Sequence, residues 1–313
     1  MSAAALRVAL IGAGRMGANH ARVIQTVAGA QLVGVHDARP EAAAALAAQH
    51  GCQPIARLED VAPACDAAIV ATASSAHVAV GRALLDGGVP CLIEKPLATD
   101  EAGCLALIAA AARRGVALAV GHSERFNAAT VALCTAVADW RLCAIEARRL
   151  NPGSARIADV GVVSDLMVHD LDLVLRLLGG TPTDIEAVGI ARDPAAGADH
   201  ATALLRFGGT ALAACTASRI TAERVRALSV TGDRGTATVD YLARTVTVTE
   251  SGAAPRRVPV ADADTLATEQ ATFLDTVRGS GPRAADSVAG AEALEVLRVA
   301  WAIERRLVSP SGS

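Results

Sequence analysis

Aromatic side chains are scarce in this chain: three Phe, two Trp and one Tyr among 313 residues, 2% of the total. The apolar 52% comes instead largely from Ala, Val and Leu, small side chains that suit close packing of helices on a sheet. A basic stripe is also missing and the formal net charge is −3, which argues against nucleic acid as a partner. A small anionic substrate stays compatible, because a few local arginines are enough to hold one. The seven cysteines are scattered, odd in number and contain no C-x-x-C. That excludes a disulfide framework or a structural metal and fits a reducing cytosol. No apolar run reaches the roughly 18–20 residues that a membrane span needs. The first residues hold one Arg before a short apolar run cut by glycines, which does not read as a signal peptide. The expectation is a cytoplasmic α/β protein without a metal, a nucleic-acid partner or a membrane partner.

What is present begins with Gly12-Ala13-Gly14-Arg15-Met16-Gly17, directly after the apolar run 6–10 and before residues at helical spacing (Ala18, Ala21, Ile24). Without a Cβ, Gly12 can make the tight turn, Gly14 lets a pyrophosphate approach the backbone, and Gly17 allows close helix–strand packing. The phosphates would meet the N–H groups at the helix start. A second apolar run, 31–36, ends at Asp37, twenty residues past Gly17. An acidic side chain there is placed to hold the ribose 2′-hydroxyl of NAD. Its charge opposes a 2′-phosphate, although Arg39 nearby leaves NADP open.

The length suits two domains. Over the first 120 residues, short apolar runs at 8–11, 32–35, 67–71, 91–93 and 117–120 alternate with helical segments such as 41–50, 77–86 and 101–113. Thr99 or Asp100 can cap the last of these, and Gly115 sits at its stop. This rhythm predicts a parallel, doubly wound sheet over 1–122. Beyond it the pattern changes: a helix over 164–178, then strand-like runs at 184–191, 201–207, 210–218, 225–231, 236–241 and 245–250. Gly208-Gly209 reads as a two-residue hairpin turn. Residues 123–313 are therefore expected to form an α+β domain with a large, mostly antiparallel sheet, one face of it open. A final helix over 287–307 is placed to pack back on the first domain. An open apolar sheet face normally finds a partner, so a homodimer or homotetramer is expected.

Three segments carry candidate chemistry. Glu94-Lys95-Pro96 follows the run 91–93, at the strand ends that face the ligand in such a sheet. A Lys there can lower the pKa of a bound hydroxyl, with Glu94 orienting it; the competing reading is a solvated loop lysine beside a structural proline. Asp165 and His169, four residues apart, share one face of a helix, where the carboxylate can set the imidazole tautomer and His169 can take a hydroxyl proton. The competing reading is an acid-decorated helix start with an ordinary His. Gly121-His122 leads into Arg125-Phe126-Asn127, at the passage from one domain to the next. Arg148, Arg149 and Arg156 cluster before the 164–178 helix and suggest an anion site.

Together with Ala71-Thr72, His77, Asp170 and Val230-Thr-Gly-Asp-Arg-Gly235, these residues resemble the glucose–fructose oxidoreductase, inositol dehydrogenase and MocA-type (Gfo/Idh/MocA) family over essentially the whole chain. The resemblance implies NAD as cofactor, bound by Gly12, Gly14, Arg15, Met16, Gly17, Asp37, Arg39, Ala71, Thr72, Ser74, His77, Glu94 and Lys95. It implies Lys95 and His169 flanking the substrate carbon with Asp165 contacting the substrate, and Arg125, Asn127 and Arg156 as further substrate contacts. It also implies dimers or tetramers joined through the open sheet. The segment 156–172 looks most like the branch that oxidises C3 of UDP-N-acetylglucosamine or its uronic acid on the way to 2,3-diamino sugars of lipid A or other surface glycans. A uronate would require a cation for its carboxylate. The alternatives are a dehydrogenase of a free polyol or sugar phosphate such as inositol, and a non-catalytic dinucleotide sensor, which would have no need of Lys95 and His169 together.

Overall fold

The computed structural model describes residues 4–152, 160–193, 197–279 and 287–308. The chain forms two compact units, one of Met1–Ser123 with Asp264–Leu294 and one of Glu124–Ala263 with Glu295–Ser313.

In the first unit the strands are β1 (Leu6–Ile11), β2 (Ala30–His36), β3 (Gln53–Pro54), β4 (Ala67–Val70), β5 (Cys91–Glu94) and β6 (Leu118–Gly121). The helices between them are α1 (Arg15–Ile24), α2 (Pro40–His50), α3 (Val61–Ala64), α4 (His77–Asp86) and α5 (Glu101–Arg114). All pairings are parallel, in the order β3-β2-β1-β4-β5-β6. This is the doubly wound sheet that the alternation of runs and helices predicts. The order reverses between β1 and β4, and ligands lie outside the strand ends at such a switch point. Strands covered on both faces are apolar throughout, and Val8, Leu10, Ile69 and Leu92 are buried in one core with Ile24, Leu46 and Phe273. Asp100 rather than Thr99 caps α5, its carboxylate accepting from the Gly103 N–H at 2.7 Å, and Gly115 ends that helix in the left-handed conformation.

One helix of this unit comes from far along the chain. After α6 (Ala128–Ala136), β7 (Leu142–Leu150), α7 (Val168–Leu178) and seven further strands, α8 (Thr265–Val277) brings Phe273 and Leu274 into the first unit's core. The sequence placed all of 123–313 in the second domain; α8 departs from that because its apolar residues complete the α1 side of the first core. α9 (Gly290–Val308) starts in the first unit, where Val288 just before it accepts from the Val120 N–H at 2.9 Å, and its later residues belong to the second.

The second unit is built on eight strands: β7, then β8 (Asp184–Ile190), β9 (His200–Phe207), β10 (Ala211–Ser218), β11 (Val225–Gly232), β12 (Gly235–Asp240), β13 (Thr245–Glu250) and β14 (Arg256–Val258). Their order is β14-β13-β12-β11-β7-β10-β9-β8, antiparallel except for the β7–β10 pair. Alternation puts Ile145, Ala147, Leu205, Cys215, Leu228 and Val230 on the buried face. The other face leaves Val188 73%, Ile190 59%, Leu204 58% and Leu212 52% exposed, and Leu204 and Leu212 line a trough of about 470 Å³. Between β9 and β10, Phe207 pairs with Ala211, so the turn holds three residues, Gly208 to Thr210, rather than the expected two. Gly208 takes the positive φ of +58° there.

Candidate functional site

The carboxyl ends of the parallel strands deliver the first set of residues. Gly12 follows β1 at φ +105°, and a Cβ on it would lie 2.5 Å from the Ala71 carbonyl oxygen on the loop after β4. Only glycine lets those two loops meet. At Gly17 a Cβ would stand 1.9 Å from the Gly12 carbonyl oxygen, so the helix can press on the turn only without one. Gly14 differs: it is exposed, and a Cβ would meet nothing within 4 Å. The space in front of Gly14 is open at a helix N-terminus, the arrangement a pyrophosphate requires. The residues therefore fit a dinucleotide.

Asp37, just past β2, accepts from the Ala13 N–H at 2.6 Å and from the Arg39 N–H at 2.9 Å. Partial burial works to raise its pKa, but these two amides and the Arg39 guanidinium outweigh it and hold the carboxyl below its ordinary range. Arg39 is exposed and its Nε lies 3.3 Å from Asp37, so its charge is drawn to the carboxylate. Arg15 is exposed, while Met16 packs on the core beneath the loop. Thr72 and Ser74 are half-buried on the loop after β4. His77 is buried, with Nδ1 2.8 Å from the Pro96 carbonyl and Nε2 3.3 Å from the Thr72 carbonyl. Its ring nitrogens thus lie against carbonyls of both the loop after β4 and the loop after β5.

Lys95 is half-buried at the end of β5, and the Lys95–Pro96 peptide bond is cis. Glu94 is tied down twice: Oε1 lies 2.9 Å from His20 Nε2, and Oε2 accepts from the Lys95 N–H at 3.2 Å. The Gln270 amide donates to His20 Nδ1 at 2.9 Å, so His20 carries its proton on Nε2 and donates to Glu94. Glu269, on α8, is buried, and among the described residues neither carboxyl oxygen has a hydrogen bond. Burial, reinforced by Glu94, pushes its pKa well above the ordinary carboxylate value. Sequence reasoning missed His20, Glu269 and Gln270. Gln270 lies 250 residues from the His20 that it contacts, and no local motif marks it or Glu269.

In the second unit, Val163–Met167 forms a π-helical turn that runs into α7. Such turns concentrate at functional sites. Asp165 lies in this turn and His169 in the first turn of α7; both are half-buried, whereas Leu166, Met167, Val168 and Asp170 are buried. The two thus share the accessible side of the helix.

The buried acids of α7 anchor it. Asp170 receives Arg149 at 2.8 Å, and Asp172 receives Arg125 at 2.6 Å. Arg149 also reaches Glu124 at 3.1 Å. Burial works against the Arg149 charge, but Asp170 and Glu124 outweigh it and raise its pKa. These pairs correct two sequence readings. Arg125 was expected to touch substrate, yet its guanidinium grips Asp172 from the interior. Arg148 and Arg149 do not form an anion site, because they are neighbours on β7 and face opposite sides of the sheet. Arg156 lies outside the described residues. Asn127 caps α6, accepting from the Ala129 N–H at 3.0 Å, and donates to Glu124 at 3.1 Å. Among the described residues no group of three His, Cys, Asp or Glu is placed to hold a metal ion, and no helix is long and apolar enough to cross a membrane.

A dinucleotide cradle with a lysine at its strand ends, joined to an α+β unit that presents an Asp and a His on one helix, defines an NAD-dependent oxidoreductase. Comparison with known proteins makes the class specific. Residues 6–122 match the NAD-binding Rossmann domain of an oxidoreductase family, and residues 136–238 match the Gfo/Idh/MocA C-terminal domain. The chain belongs to the Gfo/Idh/MocA family. It is 35% identical over 309 residues to UDP-N-acetylglucosamine 3-dehydrogenase of Acidithiobacillus ferrooxidans, covering 96% of this chain and 97% of that one. A solved structure of that organism's UDP-N-acetylglucosamine 3-dehydrogenase GnnA superposes with a TM-score of 0.90 at 33% identity, over 97% of this chain and 98% of the other. Myo-inositol dehydrogenase Hyg17 of Streptomyces leeuwenhoekii is 36% identical over 195 residues, 59% of this chain and 60% of its own.

Proposed function

We propose that this enzyme oxidises the 3-hydroxyl of UDP-N-acetylglucosamine to the 3-keto sugar, feeding the synthesis of 2,3-diamino sugars for lipid A or another surface glycan. The observation that carries this reading is the relationship to UDP-N-acetylglucosamine 3-dehydrogenase across 96% of the chain, where the inositol dehydrogenase relative covers 59%. Bound NAD supplies the hydride acceptor, held by Gly12, Gly14 and Gly17, with Asp37 directed to the ribose and favouring NAD over NADP. Lys95 sits beside the reacting carbon, where its charge stabilises a developing alkoxide. His169 takes the hydroxyl proton, and Asp165 holds the sugar and sets the imidazole. Glu94 acts through Lys95, its carboxylate fixed by His20.

We assign the protein to the cytoplasm, where its seven free cysteines stay reduced. The exposed leucines and isoleucine of the open sheet face support a homodimer or homotetramer joined there. The test of the catalytic reading is NADH formation with a panel of UDP-N-acetylglucosamine, its uronic acid, myo-inositol and hexose phosphates. UDP-N-acetylglucosamine is expected to give the highest kcat/KM. Turnover of myo-inositol with none of a UDP-sugar would replace the reading with that of a polyol dehydrogenase.

A further inference from the structure

Arg226 of β11 stands opposite Arg149 in the β7–β11 ladder. Residues directly opposite share a face, so Arg226 lies on the side of the sheet where α7 meets Arg149. The two cations differ in what they find there. Arg149 takes both nearby carboxylates: Asp170 receives its Nε and Nη2, and Glu124 receives its Nη1. The second oxygen of Glu124 accepts from Asn127. Arg226 is left over, and among the described residues its buried Nε has no hydrogen-bond partner. Arg224, two residues before it, adds another cation, its Nε 3.3 Å from Asn151 Oδ1. Three guanidinium groups thus meet two carboxylates, both already committed. Burial and the neighbouring Arg149 both push the Arg226 pKa down, yet a guanidinium keeps its proton at any physiological pH. Buried donors in folded proteins are satisfied, and this one waits for an acceptor. The side chain is half-buried, which leaves a ligand a route to it.

We propose that Arg226, with Arg224 beside it, binds an oxyanion of the substrate. The inference rests on the nucleotide-sugar reading, in which the substrate carries a diphosphate and its uronic acid form carries a carboxylate as well. Either group presents the paired oxygens that a guanidinium fork grips. The position suits the substrate, since Asp170, which holds Arg149, directly follows His169 in α7.

The test is calorimetric binding to the NAD-loaded enzyme, comparing wild type, Arg226→Gln and Arg226→Lys. The probes are inorganic pyrophosphate, UDP, UDP-N-acetylglucosamine and its uronic acid. Arg226→Gln is expected to lose about 10–100-fold in affinity, the cost of a charge-assisted hydrogen bond, with NAD binding unchanged. Arg226→Lys should fold and recover part of the loss by restoring the charge without the fork. A loss shared by pyrophosphate and UDP assigns the site to the diphosphate; a loss confined to the uronic acid assigns it to the carboxylate. If the nucleotide sugars are not oxidised but pyrophosphate still binds through Arg226, the oxyanion site stands and the substrate reading falls. Wild-type affinity of Arg226→Gln for every probe overturns the proposal, as does failure of every probe to bind the wild type.

Discussion

The two units present their chemistry by different means. In the first, the groups at the ligand edge belong to turns immediately after strands, and glycine backbone decides what approaches them. Gly12 and Gly17 permit contacts that any Cβ would block, and Gly14 opens outward. In the second, Asp165 and His169 ride on a helix held by side-chain ion pairs between residues 21 and 47 positions apart. The first arrangement is marked by a glycine motif that is local in sequence; the second exists only once the sheet and helix have met. A backbone-built cradle can be recognised by spacing, whereas an ion-paired helix cannot.

The largest expected effects are on turnover, where the two units should prove equally necessary. His169→Ala is expected to lower kcat about 10²–10⁴-fold, the usual range for a general acid–base group. Lys95→Ala should lose at least as much, because a fixed charge beside the alkoxide is removed. Steady-state kinetics with NAD binding followed separately by fluorescence checks both, and NAD affinity should hold in the His169 variant. Near-normal turnover in both would move the chemistry elsewhere.

Next in size is the anchoring of α7. Asp172→Ala removes the carboxylate that grips the buried Arg125 and should cost about 3–5 kcal/mol in unfolding free energy, read from a denaturant titration. A loss below about 1 kcal/mol, the range of a surface pair, would show that the helix does not depend on it.

The glycines separate stability from binding. Gly17→Ala drives a Cβ into the Gly12 carbonyl and should destabilise the first unit by about 1–3 kcal/mol. Gly14→Ala meets nothing within 4 Å among the described residues beyond its own turn and should leave the melting temperature unchanged while weakening NAD about tenfold. Equal melting of the two variants would remove the distinction between packing and ligand glycines.

The smallest effect concerns Glu269. Its carboxyl holds a proton more tightly folded than unfolded. As pH rises past the ordinary glutamate value, the unfolded chain releases that proton and the folded one keeps it, so native stability falls. Glu269→Gln should therefore be more stable than wild type at neutral pH, with the gap closing towards pH values below the unfolded carboxyl range. Parallel stability curves would place Glu269 in contact with water or a cation.

Legibility in the sequence follows the same division. Helix α4 falls at 77–86 as its apolar spacing predicts, and Asp100 and Gly115 bound α5 as cap chemistry requires. Gly12, Gly14, Gly17 and Asp37 stand where the motif put them, because strand, turn and helix are consecutive. β7 was not foreseen, since Glu146, Arg148 and Arg149 interrupt its apolar residues. Arg125 and Arg149 read as ligand groups because only the fold supplies Asp172 and Asp170 as their partners. The return of α8, and with it the contact of Gln270 with His20, depends on a tertiary packing that no short window contains. Arg226 stood unremarked in a strand, since an unpartnered guanidinium can be recognised only when its neighbours are known to be taken.

The most direct measurement of the central claim uses UDP-N-acetylglucosamine carrying deuterium at C3, incubated with NAD and the enzyme, with the nucleotide product weighed by mass spectrometry. The account predicts that the label moves to the nicotinamide ring, raising the mass of the reduced cofactor by about one unit, as the 3-keto sugar forms, since direct hydride transfer leaves no route for exchange with water. Reduced cofactor without deuterium, or label retained in the sugar while another carbon is oxidised, would contradict it.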